Sequence, residues 1–402
     1  MKRVVIVAAK RTPFGRFRGA LAGLSAVELA VAASDAMLQA IDRSLIDQVI
    51  LGNVLSAGQG MNVARQVSVG LGLPLQTPAW SVNMMCGSGM QSALAAVSAI
   101  RAGEARVVLA GGTESMSQSP LLVPRPGKGQ EPELTAAVDS LHRDGLVDSF
   151  SGCPMGVQAE ALAKTFQLSR SMQDAFAHRS QQLFAAASRA SGFQDELAPV
   201  AGLVADEHPR PEATRDDLAA LGPVFDPAGT VTAGNASGVN DGAAVALLAE
   251  HDFALAQGWP VLAEWVDGIV VGLDPQQMGL GPVEAITALL HRTDRAWPTI
   301  DALEINEAFA AQTLACLSQL GFELDLSQPQ RRLHLPDGHA VDFNSEGGAI
   351  AVGHPLAASG GRVLGHLAWK IARGEGRSAI GALCIGGGMG IACLLTAVDE
   401  SS

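Results

Sequence analysis

The chain has 402 residues, of which 48% are hydrophobic and 17% charged, and its formal net charge is −13 at pH 7. This length predicts two or three domains, and the apolar fraction is large enough for a buried core. The negative charge argues against nucleic-acid binding, because such binding depends on Lys and Arg neutralising phosphates. A local basic patch remains compatible with one phosphorylated ligand.

The five cysteines predict a reduced compartment. They are Cys86, Cys153, Cys316, Cys384 and Cys393. Their number is odd and none stands in a C-x-x-C or His-paired spacing, which argues against a disulfide framework or a metal site. The N-terminal apolar run, residues 4–9, is too short for the core of a signal peptide. We therefore expect a cytoplasmic protein.

Predicted strands and helices alternate along the N-terminal part of the chain. The predicted strands are residues 4–8, 48–51, 79–84 and 107–110, and the predicted helices are residues 25–40 and 89–101. The helices have apolar residues at intervals of three and four, and the strands are short apolar runs. Such alternation predicts an α/β fold with a mostly parallel sheet covered by helices on both faces.

The composition changes after Met116. Residues 119–132 are rich in proline, glycine and charge, and the section that follows has the pattern of helices broken by loops. We therefore predict an inserted loop domain at residues 118–238. It interrupts an N-terminal half that comprises residues 1–117 and is completed by about 239–262.

A second α/β half is predicted at residues 263–402. Within it, residues 323–343 carry a turn sequence between short strand-like runs and predict a surface hairpin. Residues 379–398 contain no charged side chain and are long enough to span a bilayer. The glycines in their middle, however, each cost about 1 kcal/mol in a helix interior. We interpret this segment as two buried strands joined by a glycine turn.

The two halves repeat one layout. The turn at Cys86 precedes a helix and a strand that ends in residues 111–112, and the turn at His354 precedes a helix and a strand that ends in residues 386–388. A duplicated fold places both turns at equivalent helix N-termini, which face one cleft between the halves.

Polar side chains beside these turns are candidates for acyl-transfer chemistry. Cys86 stands before Gly-Ser-Gly at a helix start, where backbone N–H groups and the helix dipole favour the thiolate. Cys384 precedes a glycine triplet that can present N–H groups to an oxyanion, and His354 precedes a proline that holds it outside the helix. Each also has a structural interpretation, as a packing thiol or a surface histidine. Asn306 and Glu307 would then only stabilise a helix start.

Together these motifs give the chain an end-to-end resemblance to the thiolases, the acetyl-CoA C-acyltransferases. The matching segments are residues 11–15, Asn83 with residues 86–89, residues 111–117, 225–226, 229–238 and 240–244, Asn306-Glu307-Ala308-Phe309-Ala310, residues 347–355 with Gly353-His354-Pro355, and residues 384–390 with Cys384-Ile385-Gly386-Gly387-Gly388. The resemblance implies the duplicated, five-layered αβαβα thiolase fold with a loop domain that carries most coenzyme A contacts. It also implies a homodimer or homotetramer.

The resemblance further implies a reaction and its residues. The expected reaction joins acetyl-CoA and an acyl-CoA to a 3-oxoacyl-CoA by Claisen condensation, or cleaves the product with coenzyme A, without a metal or permanently bound cofactor. Cys86 is the expected nucleophile, His354 handles its proton, and Cys384 is the expected acid and base. One oxyanion site uses His354 and a water held by Asn306, and the other uses the N–H groups of Cys86 and Gly386. The expected coenzyme A contacts are Leu146, Met155, Arg210, Phe225, Ser237, Met278 and Phe309.

Departures from the family pattern concern substrate choice. Pro154 stands where members that act on acetoacetyl-CoA often have His, and Asp217 stands where Ser is common. Ala357 replaces a common Gly, and Glu346 replaces an Asn. One hypothesis is that Glu346 raises the pKa of His354; the alternative is that it turns to solvent or to another basic group.

Two rival classes stay open on the sequence. A decarboxylating ketoacyl synthase shares the fold but lacks a second catalytic cysteine, so Cys384 in its glycine turn argues against it. A non-catalytic protein that binds acyl-CoA or lipid is the other alternative, and it is motivated by Pro154 and Glu346.

Overall fold

The computed structural model describes residues 2–398; Met1 and residues 399–402, the outer ends of the two predicted halves, lie outside the described residues. The strands β1 to β14 are Val4–Arg11, Gly15–Arg16, Gln48–Gly52, Ala79–Val82, Val107–Ser115, Leu121–Leu122, Val138–Asp139, Asn240–Glu250, Ala263–Gly272, Ala302–Ile305, Arg332–His334, Ala340–Phe343, Ser378–Ile385 and Met389–Thr396. The α-helices α1 to α11 are Ala26–Met37, Val63–Gly70, Ser88–Ala102, Met155–Thr165, Arg170–Arg189, Arg215–Ala219, His251–Ala256, Gly281–Arg292, Ala310–Gln319, Ala349–Val352 and Leu356–Ala372.

Within residues 2–398, β6 and β7 pair separately and the other strands form one continuous sheet. This sheet has two halves of the same topology, the first and the second sheet, which are joined edge to edge. One has the order β4-β3-β5-β8-β1 and the other β12-β10-β13-β14-β9, with β1 and β9 paired at the junction. In each sheet the second strand pairs in parallel with both neighbours, β3 with β4 and β5, and β10 with β12 and β13. The remaining pairings within each sheet are antiparallel. The matched order and directions confirm a duplicated fold.

The prediction of a mostly parallel sheet is wrong, because parallel and antiparallel pairings are mixed in both halves. The strands β13 and β14 are joined by a short glycine turn, and such a connection makes two strands antiparallel. In the N-terminal half, β8 enters only after the long inserted segment and then pairs antiparallel with both β5 and β1. Strand direction depends on these connections, which the apolar pattern of each strand does not record.

Five layers result from the packing of helices on the two sheets. Helices α3 and α11 contact each other and both sheets, so they form the middle layer. Helices α1 and α2 cover the outer face of the first sheet, and α8 and α9 cover the second. The middle layer is tight, since a Cβ atom added to Gly89 of α3 would lie 2.5 Å from the Ala357 carbonyl oxygen of α11. This close approach brings the N-terminal ends of α3 and α11 together.

Several local predictions are confirmed. The helix predicted at residues 25–40 is α1, which begins with a capping box between Ser25 and Glu28. The predicted surface hairpin is formed by β11 and β12, and residues 379–398 contain the two buried strands β13 and β14. Across residues 2–398, no helix combines the length and apolar character that a membrane crossing requires.

Residues 118–238, which the sequence predicts to be an inserted segment, contribute helices α4 and α5 to one side of the C-terminal strands. Helix α4 packs on α9, and α5 packs on both α9 and α10. Helix α5 is held by buried side chains; Arg179, for example, donates to the backbone oxygen of Phe343 at 2.5 Å. The first turn of α4 thereby comes to lie over the glycine turn between β13 and β14, where Met155 lies against Gly386.

Candidate active site

Cys86 lies in a constrained turn between β4 and α3. The preceding residue, Met85, has a φ of 47°, in the left-handed region that side chains rarely adopt. Two side chains hold this conformation: Asn83 Oδ1 accepts from the Met85 backbone N at 3.1 Å, and Ser88 Oγ accepts from Met84 N at 2.8 Å and donates to Met85 O at 2.7 Å. A strained turn that is fixed from both sides is typical of a site where one side chain must be placed accurately.

The Cys86 sulfur is surrounded by backbone donors and apolar side chains. The N–H groups of Cys86 itself and of Gly386 both reach it. Burial nevertheless raises the pKa of the thiol to about 11, although the side chain is partly open to a cavity. The expectation that the helix end favours the thiolate is therefore wrong for the free protein, because loss of hydration outweighs the backbone donors. Cys86 is a thiol at neutral pH and needs a base.

His354 lies just before α11 and is held by two side chains. Its backbone N donates to Asn240 Oδ1 at 2.9 Å, and its Nδ1 lies 2.5 Å from Ser359 Oγ. Its Nε2 is buried without a hydrogen-bond partner among residues 2–398. Burial, reinforced by the positive charge of Arg362, lowers the pKa of His354 to about 4. The imidazole is therefore neutral at pH 7 and has a free nitrogen with which to take a proton.

Cys384 is the second-last residue of β13, and only Ile385 separates it from the glycine turn. Its side chain is buried, and burial together with the nearby thiols of Cys86 and Cys316 raises its pKa well above the ordinary value. Gly387 and Gly388 have φ values of 88° and 82°, so the turn needs residues without a side chain. Cys384 is thus a protonated thiol held at the end of a rigid strand.

Asn306 is fully buried after β10, and neither Oδ1 nor Nδ2 of its amide has a hydrogen-bond partner within the described residues. Buried amides are usually satisfied, so this one suits a water or a ligand. The helix-start interpretation is wrong for Asn306 and Glu307, because α9 begins only at Ala310. Glu307 instead accepts hydrogen bonds from Ser180 Oγ at 2.6 Å and Asn344 Nδ2 at 2.8 Å, which tie the segments around it together.

These groups meet at one cavity of about 460 Å³. The predicted residues that line it are Cys86, His354, Cys384, Gly386, Leu146, Met155, Phe225, Ser237, Met278 and Phe309. Asn306 does not line the cavity. It is buried two residues before Ala308, which does line the cavity together with Phe309. Arg210 is also absent from the lining, because its side chain is exposed at the surface. Partial burial, reinforced by the charge of Arg210, lowers the pKa of His208 to about 4.

Sequence reasoning missed several residues that build the site. Met85, Met116, His142, Val239 and Leu356 also line the cavity. Ser359 and Asn240 hold His354, as described above. Glu114 joins the segment after β3 to the start of α11, accepting from the backbone N of Leu55 at 3.0 Å and of Ala357 at 3.1 Å. The one available signal was the position of Ser359, four residues after Pro355 and so one helical turn beyond the residue that follows His354.

A surface groove and two further buried cysteines lie apart from the predicted site residues. A larger groove of about 970 Å³ at the surface is lined by charged residues, among them Arg331, Asp342 and Arg377. No group of three or more His, Cys, Asp or Glu side chains in residues 2–398 is arranged to hold a metal ion. Cys316 and Cys393 are buried outside the cavity, and burial raises the pKa of each to about 12.

Comparison with known proteins decides the family. Residues 4–252 match the thiolase N-terminal domain and residues 259–397 match the thiolase C-terminal domain. The chain belongs to the thiolase family. It is therefore an acyltransferase.

Individual thiolases match this chain over nearly its whole length. The acetyl-CoA acetyltransferase of Pseudomonas aeruginosa is 43% identical, over 98% of this chain and 99% of that protein. The human mitochondrial 3-ketoacyl-CoA thiolase, solved in complex with CoA, has a TM-score of 0.90 and 41% identity, covering 99% of this chain and 98% of that one. The Bacillus anthracis acetyl-CoA acetyltransferase has a TM-score of 0.91 and 35% identity, with 99% of both chains covered.

The structure explains two of the departures from the thiolase pattern. Asp217 closes a capping box at the start of α6, where its carboxylate accepts from the Thr214 hydroxyl at 2.6 Å. Ala357 is fully buried, and its backbone oxygen lies against Gly89 and Gly112 where α11 crosses the first half. Pro154 precedes α4 and lines the cavity. Of these three residues, only Pro154 lines the cavity.

Proposed function

We propose that this thiolase catalyses reversible acyl transfer between coenzyme A thioesters through an acyl group on Cys86. The forward reaction condenses acetyl-CoA with an acyl-CoA to a 3-oxoacyl-CoA, and the reverse reaction is thiolysis by coenzyme A. The observation that carries the proposal is the meeting of Cys86, His354, Cys384 and the Gly386 N–H at one cavity. A ketoacyl synthase site would lack the second thiol, and Cys384 lines the cavity.

In the first step, Nε2 of His354 removes the proton of Cys86, and the sulfur attacks the thioester carbonyl. The protonation states support this assignment, because a thiol with a pKa of about 11 needs a base and the neutral imidazole offers an unpaired nitrogen. The N–H groups of Cys86 and Gly386 then hold the developing oxyanion. Collapse expels coenzyme A as a thiolate, which takes the proton of the Cys384 thiol. Cys384 thereby becomes a thiolate, and His354 keeps the proton that came from Cys86.

In the second step, the Cys384 thiolate removes the α-proton of acetyl-CoA and the carbanion attacks the acyl carbonyl on Cys86. The bond between this carbonyl and the Cys86 sulfur then breaks, and the Cys86 thiolate leaves and takes its proton back from His354. The thioester itself acidifies that carbon, so the proposed reaction needs neither a metal nor a permanently bound cofactor. The enolate oxygen is held by His354 and by a water on Asn306. The unpartnered amide of Asn306 and the unpartnered Nε2 of His354 support this second oxyanion site.

We assign the rest of the cavity to the pantetheine arm of coenzyme A. Its walls are largely apolar, with Phe225 edge-on to Phe309 at 6.1 Å between ring centroids, and Ser237 offers a hydroxyl. The remaining proposed contacts are Leu146, Met155 and Met278. Arg210 lies outside this wall, where its exposed guanidinium suits a phosphate of the nucleotide end.

We also propose a cytoplasmic homodimer or homotetramer that acts on small thioesters rather than on nucleic acid or membranes. Strand β4 forms one end of the strand order, so one of its edges offers free backbone groups. Near that edge, Met61 and Leu75 are 91% and 70% exposed, and Trp80 of β4 is 42% exposed. An exposed apolar edge of this kind suits a second copy of the chain. The free cysteines suit a reducing compartment.

The proposed function is tested by the covalent intermediate. Incubation with acetyl-CoA should add one acetyl group to the peptide that contains Cys86, and mass spectrometry detects it. The variant Cys86→Ala should lose both this label and the thiolysis of acetoacetyl-CoA to acetyl-CoA. Labelling confined to Cys384, or acetoacetyl-CoA bound without turnover, would refute the proposal. A series of 3-oxoacyl-CoA substrates of increasing length then defines the acyl preference.

A further inference from the structure

Ser359 is the side chain that contacts the inner nitrogen of His354. It lies in the first turn of α11, is 1% exposed, and its Oγ is 2.5 Å from His354 Nδ1. The same hydroxyl lies 3.2 Å from the backbone oxygen of Pro355, four residues earlier. A hydroxyl has one proton and can accept through its oxygen, so it can donate to Pro355 and accept from the imidazole at the same time.

This geometry matters because a neutral imidazole carries its single proton on one nitrogen only. If Nδ1 holds the proton and donates to Ser359, Nε2 is left as a bare acceptor on the side of the cavity. If Nε2 held the proton, it would be a buried donor without a partner among residues 2–398 and would have no lone pair for the Cys86 proton. The partner of one ring nitrogen therefore decides what the other can do.

We propose that Ser359 is a positioning residue, which fixes His354 in the tautomer whose Nε2 accepts the proton of Cys86. This inference rests on the proposed function and adds a residue to it. Ser359 does not touch the cavity, so it acts only through His354. Asn240 performs a different task, because it binds the backbone N of His354 and leaves the ring free to rotate.

Few charged groups near His354 offer an alternative control of its proton. Arg362, on the next turn of α11, pairs with Glu304 and lowers the pKa of His354. The carboxylate of Glu114 accepts hydrogen bonds from backbone N–H groups, among them that of Ala357. From the facing elements come the thiols of Cys86 and Cys384. None of these groups hydrogen-bonds to Nδ1, so the orientation of the imidazole ring depends on Ser359.

The test compares Ser359→Ala with Ser359→Thr, which keeps the hydroxyl and its bond to the preceding turn. The control is Ser98→Ala on α3, an exposed serine with the same four-residue bond, to Leu94 O at 2.9 Å. Three experiments are carried out on each folded protein. They give kcat and KM for acetoacetyl-CoA thiolysis, the rate of Cys86 alkylation by iodoacetamide from pH 6 to 10, and the thermal unfolding midpoint. Alkylation involves no acyl-CoA, so it reports on His354 even in a chain without thiolase activity.

We expect Ser359→Ala to lower kcat by about 10- to 100-fold with KM within about twofold, because a positioned base contributes roughly 10²-fold or more. Alkylation of Cys86 should slow in parallel at pH 7 and recover only as the pH approaches the pKa of the thiol. Ser359→Thr should restore both rates to within a few-fold, and Ser98→Ala should match the wild type. Should Ser359→Ala fail to fold, Ser359→Cys, with a weakly accepting sulfur, takes its place with the same expectation.

Two outcomes overturn the proposal. In the first, Ser359→Ala alkylates and turns over at more than half the wild-type rates. In the second, kcat and KM change together with a large fall in the unfolding midpoint, and Ser359→Thr restores nothing, which would make Ser359 a packing residue. Failure of the proposed function looks different, because the wild-type chain itself would then carry no acyl group on Cys86.

Discussion

The Oε2 atom of Glu346 lies 3.6 Å from Nε2 of His366, on the far side of α11 from the catalytic turn. The same carboxylate is 3.7 Å from Arg373 and 4.0 Å from Lys370. Glu346 is not among the groups that shift the pKa of His354. Of the two interpretations, the side chain turned to other basic groups is the one observed. Glu346 therefore balances charge under α11 and does not tune the catalytic imidazole.

Replacing Glu346 by the usual family residue should change stability and not the pH profile. We expect Glu346→Asn to leave the acidic limb of the rate profile unshifted. It should lower the free energy of unfolding by about 2 kcal/mol, because three buried or half-buried cations lose a partner while other carboxylates remain. Chemical denaturation and a kcat/KM profile measure the two effects. Glu212→Asn, at an exposed position, is the control. A shifted acidic limb would restore the active-site hypothesis.

Stability should depend on pH through the buried pair of His366 and Glu196, whose Nδ1 and Oε1 atoms are 2.6 Å apart. Burial opposes the charge of Glu196, but His366 and Arg11 prevail and lower its pKa from 4.5 to about 2. A carboxyl group whose pKa is lowered on folding stabilises the fold at pH values above its pKa in the unfolded chain. This stability is lost as the pH falls from about 4.5 to 2. For His366, burial is outweighed by Glu196 and Glu304, so its pKa is raised and its contribution disappears as the pH rises above that value.

The variant Glu196→Gln isolates the acidic half of this dependence. The wild type should lose on the order of 3 kcal/mol more than the variant between about pH 4.5 and 2. Urea denaturation at a series of pH values measures the difference. Parallel curves for the two proteins would show that the pair contributes nothing to acid stability.

The two active-site thiols should have separable roles. Cys384→Ser should reduce condensation and thiolysis by about 10²- to 10⁴-fold, because a hydroxyl is a much weaker acid than a thiol in the same surroundings. Acylation of Cys86 should survive in part, since it needs His354 instead. Mass spectrometry of the acyl-enzyme and steady-state rates make the comparison, with Cys153→Ser, outside the cavity, as the control. If acylation of Cys86 fell as much as condensation and thiolysis, the proposed division of roles between the two thiols would be contradicted.

The unpartnered amide of Asn306 predicts an unusual pair of variants. Asn306→Ala should lower condensation by about 10²- to 10³-fold, the cost of removing one oxyanion donor, without lowering the unfolding midpoint. Asn344→Ala, in contrast, should lower the unfolding midpoint, because the Asn344 amide accepts from Ile305 N at 3.0 Å and donates to Glu307 at 2.8 Å. Thermal unfolding and steady-state kinetics test both. If Asn306→Ala unfolded at a much lower temperature, its amide would be structural.

The sequence by itself determined what depends on neighbours along the chain. Ser25 and Glu28 are three residues apart, so the capping box that begins α1 was readable, and the glycines between Cys384 and Met389 predicted a turn between two strands. The family was also readable, because its motifs are contiguous. Tertiary structure alone decided the rest. The protonation of Cys86 follows from burial by distant segments, and the direction of Glu346 follows from which cations α11 presents to it. Desolvation and long-range pairing are properties of the packed chain, since they arise only when residues far apart in sequence exclude water from one another.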